Sequence, residues 1–265
     1  MGYPVIMIHG MWCTGANWSR IRALMEPRGY DCHAVTLPAH EPGPGGQPAA
    51  VGARSLREYQ AFLEDYVAQQ NFRVPPIIIG HSMGGLLAQQ LASRINTLAL
   101  VLLTPAPPAG IFAFSLSNLM AFWRALLRWG FWRKPHKPSF GRAVASAFNG
   151  VPAAQHRHIY EGMVYESGRA LSEIGFWQFD FGQASRVDIA SVRCPVYVVS
   201  SGKDRLVPAP VVRKVAALYP QASQRIYPYR GHWVIDDDDT EEMVTGICGW
   251  LRPFEQRIVR IQNPK

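Results

Sequence analysis

The sequence predicts an α/β protein on a mostly or wholly parallel sheet of about six strands, and three observations lead there. Short apolar runs alternate along the chain with stretches whose apolar residues recur at helical spacing. The runs are apolar throughout rather than at every second position, the pattern of strands covered on both faces. Of the 265 residues 48% are hydrophobic and only 17% charged, enough for a sizeable core and unlike a disordered or coiled-coil chain.

Tyr3 to His9 reads as the first strand, ending at Gly10, and Trp18 to Arg28 as a helix with Ile21, Leu24 and Met25 on its inner face. Asp31 to Leu37 is the second strand, stopped by Pro38. The Pro-Gly-rich tract Ala39 to Gly52 is a long surface loop. Leu56 to Gln69 then carries Leu56, Tyr59, Phe62, Leu63, Tyr66 and Val67 at helical spacing. It leads to a β-branched strand from Pro75 to Gly80, a helix from Met83 to Ser93 and a strand from Thr97 to Leu103. Two further strands, Pro195 to Ser200 and Gln224 to Tyr229, complete six. Between Pro105 and Ser191 the rhythm gives way to an aromatic-rich segment with helical spacing around Leu116 to Trp129. The expected organisation is a core of residues 1–104 and 192–265 with a helical insertion, 105–191, above the crevice outside the carboxyl ends of the strands.

The four cysteines, Cys13, Cys32, Cys194 and Cys248, form no C-x-x-C and no zinc spacing with histidine, and read as small buried hydrophobes in a reducing compartment. The amino terminus lacks the basic and apolar regions of a signal peptide, and no stretch reaches the roughly 18 apolar residues of a spanning helix. The expected location is the cytoplasm.

Gly80-His81-Ser82-Met83-Gly84-Gly85 stands directly after a β-branched strand and directly before a helix. A serine at such a tight turn is lifted clear of the sheet, beside a helix N-terminus that favours developing negative charge. Its hydroxyl needs a base, and the base an acid to fix its tautomer. Among eight histidines, His232 in Tyr229-Arg230-Gly231-His232-Trp233 follows the last strand and so shares the edge of Ser82. His81 cannot easily reach round to its neighbour, and His9, His33, His136, His156 and His158 are given loop or solvent roles. Asp204, in Gly202-Lys203-Asp204, follows the fifth strand on the same edge. Asp188 and the run Asp236 to Asp239 are weaker rivals, the run suiting the start of a C-terminal helix. Two backbone amides are needed for an oxyanion, and Met83 and Met11 are in position to supply them. Trp12, His81, Phe112, Trp123, Trp177 and Trp233 are expected to wall the substrate pocket.

These motifs, with His9-Gly10 and Val207-Pro208, resemble the serine-dependent α/β-hydrolases of the cap-bearing esterase and lipase kind, over nearly the whole chain. The resemblance implies an eight-stranded fold of which this sequence retains the last six strands, and a Ser82, Asp204, His232 triad with no metal or organic cofactor. Family members often carry an acidic residue where Thr36-Leu37-Pro38-Ala39-His40 stands here.

The expected reaction is hydrolysis of a small hydrophobic carboxylic ester through an acyl-enzyme. Perhydrolysis or haloperoxidation, carbon-carbon bond hydrolysis, lactone opening, cyanohydrin cleavage and a catalytically weak ligand receptor stay open on the same residues. The formal charge is +8, and no acidic residue occurs between Asp65 and Glu161. Arg124 to Arg142 interleaves cations with Trp123, Trp129, Phe131 and Trp132, which suits a solvated helix face, contact with an anionic lipid surface or a substrate with a negative tail. No nucleic-acid reader motif accompanies them.

Overall fold

A computed structural model describes residues 2–41, 48–112, 122–123 and 126–262. Of the expected surface loop Ala39 to Gly52, residues 42–47 lie outside them, while Pro48–Val51 forms a short helix and His40 and Val51 are buried rather than on the surface. Much of the expected Leu116 to Trp129 helix also lies outside the described residues. Strands β1 (Tyr3–Ile8), β2 (Tyr30–Val35), β3 (Ile77–His81), β4 (Ala99–Leu103), β7 (Val196–Ser201) and β8 (Ser223–Tyr227) form one sheet in the order β2-β1-β3-β4-β7-β8. Every pairing is parallel. All of β3 and β4 is buried, as the unbroken apolar runs require of strands covered on both faces. β8 stops at Tyr227, two residues before the expected end, because Pro228 has no N–H to extend the ladder.

Helices α1 (Ser19–Met25), α2 (Leu56–Gln70) and α3 (Met83–Ala92) connect the first four strands. Ser55 opens α2 with a capping box, its side chain accepting from Arg57 N–H while Glu58 accepts from Ser55 N–H. Every residue of α3 is buried, so this helix is apolar on all sides rather than striped. It lies so close to β1 that a Cβ at Gly84 would stand 2.1 Å from the Ile8 carbonyl oxygen. From β1 the chain passes to β2 on one side and later returns to β3 on the other. The strand order therefore reverses between β1 and β3, and an open α/β sheet leaves its ligand crevice at that point.

Between β4 and β7 the chain forms β5 (Pro135–His136), α4 (Phe140–Ala145), α5 (Ala153–Glu161), β6 (Glu166–Ser167) and α6 (Gly168–Gly175), with β5 and β6 antiparallel. Buried Glu173 ties α6 to the start of α2, accepting from Ser55 Oγ at 2.7 Å and Leu56 N–H at 2.8 Å, where the helix dipole favours its charge. Helices α7 (Ala209–Ala217) and α8 (Thr240–Gln262) complete the core. No helix among the described residues is long and apolar enough to cross a membrane.

Candidate active site

Ser82 occupies the single residue between β3 and α3, with φ 54° and ψ −122°, outside the regions open to most side-chain-bearing residues. Its surroundings hold it there. Ser82 N–H donates to the Leu103 carbonyl at 3.0 Å, and its own carbonyl accepts from Gly85 and Ala106, both at 2.8 Å. Close packing adds a steric constraint, since a Cβ at Gly10 would come within 2.9 Å of Ser82 Cβ. The side chain is half-buried and lines an apolar pocket.

His232 lines the same pocket and is itself buried. Its Nδ1 lies 2.7 Å from Asp204 Oδ2, while Asp204 Oδ1 accepts from the amides of Leu206 and Val207, each at 2.8 Å. A carboxylate fixed at both oxygens keeps the imidazole proton on Nδ1 and leaves Nε2 as an acceptor. Arg230 braces the loop that carries His232, donating to Asp237 Oδ2 at 2.9 Å and to the Val234 carbonyl at 2.9 Å. Asp237 is thus spent on a buried ion pair, and α8 starts only at Thr240, whereas the sequence had suggested the whole Asp236 to Asp239 run as a helix start.

His81 supports His232 from below. Its Nε2 lies 3.0 Å from the His232 carbonyl and the ring centroids are 4.9 Å apart. Burial and the neighbouring His232 push the His81 pKa down to about 3, so it stays neutral and donates to that carbonyl. Met11 and Met83 also line the pocket, and among the described residues neither backbone amide is taken up by a carbonyl. Met83 is the first residue of α3, where helix N–H groups have no partner within the helix. A carboxylate-bound imidazole, a hydroxyl on a strained turn and two unclaimed amides around one pocket are chemically fit for acyl transfer.

Of the aromatic residues expected in the pocket, Trp12, His81 and Trp233 line it, and Phe112, Trp123 and Trp177 do not. Phe112 is 60% exposed, with its ring 5.7 Å from that of Trp177. Phe122, Leu126, Met163, Leu171, Ile174 and Phe176 supply the apolar wall in their place. Trp123 and Trp177 are each next in sequence to a true wall residue. In helical segments one step along the chain turns a side chain by about 100°, so composition locates the stretch but not the face.

A second buried polar cluster was not anticipated. His40 Nε2 lies 2.9 Å from Glu166 Oε2, and Glu166 Oε1 accepts from Tyr59 Oη at 2.9 Å and Ser167 N–H at 2.6 Å. Burial pulls the His40 pKa down, but the Glu166 charge and hydrogen bonds to Glu166 and Pro38 outweigh it and hold it above the ordinary value. His9, expected in a loop role, is fully buried with its ring 5.1 Å from that of His40; burial and His40 push its pKa down to about 3. His136 pairs with Glu166 across β5 and β6 and accepts from Trp12 Nε1 at 3.3 Å, so the cluster reaches the pocket wall. The sequence signal was His40 itself, a titratable group standing where the resembled family often has an acid.

A model of the family described as "Alpha/beta hydrolase family" matches residues 5–245. A pyrethroid hydrolase of Sphingobium wenxiniae is 35% identical over 90 residues, a match spanning 34% of this chain and 30% of that protein. A pimeloyl-[acyl-carrier protein] methyl ester esterase of Chromobacterium violaceum is 24% identical over 247 residues, 87% of each chain. Among solved structures, the monoacylglycerol lipase of Paleococcus ferrophilus shares the fold at a TM-score of 0.69, with 18% identity over 96% of this chain and 97% of that one.

Proposed function

The chain belongs to the alpha/beta hydrolase family, and from that premise we propose that it is a serine hydrolase cleaving carboxylic esters with a hydrophobic acyl or aryl group. The observation that carries this reading is the buried 2.7 Å contact of His232 with Asp204 on the wall of an apolar pocket that Ser82 also lines. The name of one relative, a methyl ester esterase, supports the reaction class, and that of another, a pyrethroid hydrolase, supports hydrolysis. In this reading residues 1–104 and 192–265 are the catalytic core and 105–191 the cap.

Ser82 Oγ makes no hydrogen bond among the described residues, so the first event is its turn toward His232 as substrate enters; such contacts tighten in the substrate complex. His232 Nε2 takes the hydroxyl proton while Oγ attacks the carbonyl carbon, and the Met11 and Met83 amides hold the oxyanion. His232 then gives the proton to the departing alcohol, leaving an acyl group on Ser82. Water, deprotonated by His232, attacks that acyl group and frees the acid and the serine. Asp204 keeps the imidazole oriented and stabilises its charged form. Four unpaired cysteines, three of them buried, support a reducing compartment, and we place the enzyme in the cytoplasm as part of this proposal.

Ser82→Ala is expected to lower turnover of a medium-chain p-nitrophenyl ester by at least about 1,000-fold, with unchanged circular dichroism. Turnover within tenfold of the parent protein removes the mechanism.

A further inference from the structure

Beside the ester pocket, the cap carries a second, solvent-open cavity whose walls include Arg128, Lys134, Lys137, Arg142, His136 and Tyr160. Among the described residues no carboxylate lines it. The buried cap acids nearby are committed elsewhere, Glu166 to His40 and Glu173 to Arg169 and Ser55. None of the four cations has a carboxylate partner among the described residues. Lys134 Nζ donates to the Trp129 carbonyl and Lys137 Nζ to the Met163 carbonyl, each at 2.7 Å, contacts that position the ammonium groups without neutralising them. The Arg142 guanidinium lies over the Trp123 ring at 4.8 Å, and its buried Nη1 has no hydrogen-bond partner among the described residues. Burial already lowers the Lys137 pKa, as expected for a cation losing water without gaining a counter-charge.

Four like charges around one concave space repel one another and focus a positive potential that a bound oxyanion relieves. Guanidinium groups offer the forked donors that carboxylate and phosphate oxygens match. The cavity also adjoins the ester pocket. Leu171 lines both, and Met163, whose carbonyl holds Lys137, lines the ester pocket. The His136 ring packs 5.7 Å from Trp12 and 5.9 Å from Phe122, two walls of the ester pocket.

We infer that this cavity is an anion subsite, and that the preferred substrate is an ester carrying a carboxylate or phosphate at the end remote from the scissile bond. The inference rests on the ester-hydrolase reading above. The full-length protein is assayed on two p-nitrophenyl esters of equal chain length, the neutral hexanoate and the adipate half-ester with a free terminal carboxylate. The expected result is a kcat/KM at least tenfold higher for the adipate. Arg128→Gln and Lys137→Gln are each expected to cut that advantage threefold or more, mainly through KM, and Arg128→Gln, which lines no part of the ester pocket, to hold hexanoate turnover within twofold. Exposed Arg128→Glu, which leaves the cap packing untouched, is expected to turn the advantage into a disadvantage.

Equal or poorer turnover of the adipate by the parent protein overturns the inference, as does an adipate advantage that survives all three substitutions. If neither ester is cleaved, the hydrolase reading fails and calorimetric titration with inorganic phosphate judges the subsite alone. Saturable binding that Lys137→Gln abolishes upholds it, and no binding overturns it. Cosedimentation with phosphatidylglycerol vesicles without any adipate advantage assigns the cations to a lipid surface and likewise overturns the subsite.

Discussion

Glu166→Ala removes the acceptor at the centre of the buried cluster joining β6 to His40 and to Tyr59 of α2, and its cost follows from the hydrogen bonds that the carboxylate accepts. Glu166 is 1% exposed, so no bulk water takes its place. Its removal strands three donors at once: His40 Nε2 at 2.9 Å, Tyr59 Oη at 2.9 Å and Ser167 N–H at 2.6 Å. Taken separately, orphaned buried groups cost about 1–3 kcal/mol each. The three share one site and relax together, so the expected loss is about 3–5 kcal/mol, the range for breaking a buried ion pair at one end. Glu166→Gln tests how much of this is charge. Its carbonyl keeps Tyr59 and Ser167, while its amide donates to the Nε2 of a neutral His40 whose Nδ1–H faces the Pro38 carbonyl at 3.1 Å. A loss of about 1–2 kcal/mol is expected. Because the His40 pKa is raised in the folded state, the ionic contribution is complete below about pH 6.5 and fades as pH rises through the folded value. The Glu166→Ala deficit is therefore larger at pH 6 than at pH 9. Urea unfolding of the three proteins at both pH values measures it. A deficit under about 1 kcal/mol at pH 6, or one that grows toward pH 9, refutes the reasoning.

Three further outcomes are expected. Asp204→Asn preserves shape, but its oxygen stays on the Leu206 and Val207 amides and its NH2 donor turns toward His232 Nδ1, forcing the wrong tautomer, so ester kcat falls about 10,000-fold with little change in melting temperature; a loss below 100-fold means that Asp204 does not orient the base. Gly84→Ala drives a Cβ against the Ile8 and His9 carbonyl oxygens, both backbone, and is expected to cost about 3 kcal/mol in thermal or urea unfolding, a figure that a loss under about 1 kcal/mol contradicts. His9 and His81, with pKa values near 3, and His136, near 4, stay neutral in the fold but charge in the unfolded chain below about pH 6.5. Stability should therefore fall as pH drops from 6 to 4, each histidine contributing up to about 1.4 kcal/mol per pH unit, and a flat urea midpoint over that range contradicts the assignment.

The core was legible because its information is local. Continuous apolar runs such as Ile77–His81 and Ala99–Leu103 admit few arrangements other than doubly covered strands. Glycine at 80, 84 and 85 around Ser82 marks a place where backbones approach too closely for side chains, and the Cβ distances there bear that cause out. Asp204 and His232 could be named because each follows an expected strand, which puts both on the same edge of a parallel sheet. Trp12, His81 and Trp233 were legible as pocket wall because each adjoins a motif residue, but the part of the wall that 105–191 supplies was not. In 105–191 no period in the sequence separates the pocket-lining Phe122 and Phe176 from the exposed Phe112, since Phe112 and Phe176 lie outside regular helix.

Strand identities, the turn that carries Ser82 and the sheet edge that Ser82, Asp204 and His232 share were thus written in the chain itself, through periodicity and the few residues a tight strand-to-helix turn tolerates. The order of the sheet, the pairing of Glu166 with His40 across 126 residues, the diversion of Asp237 to Arg230 and the faces turned into the pocket arose only on folding. Those features depend on which distant surfaces exclude water together. Burial converts a polar side chain from a solvated group into one that must find a partner, and linear spacing carries no record of which partner will be there.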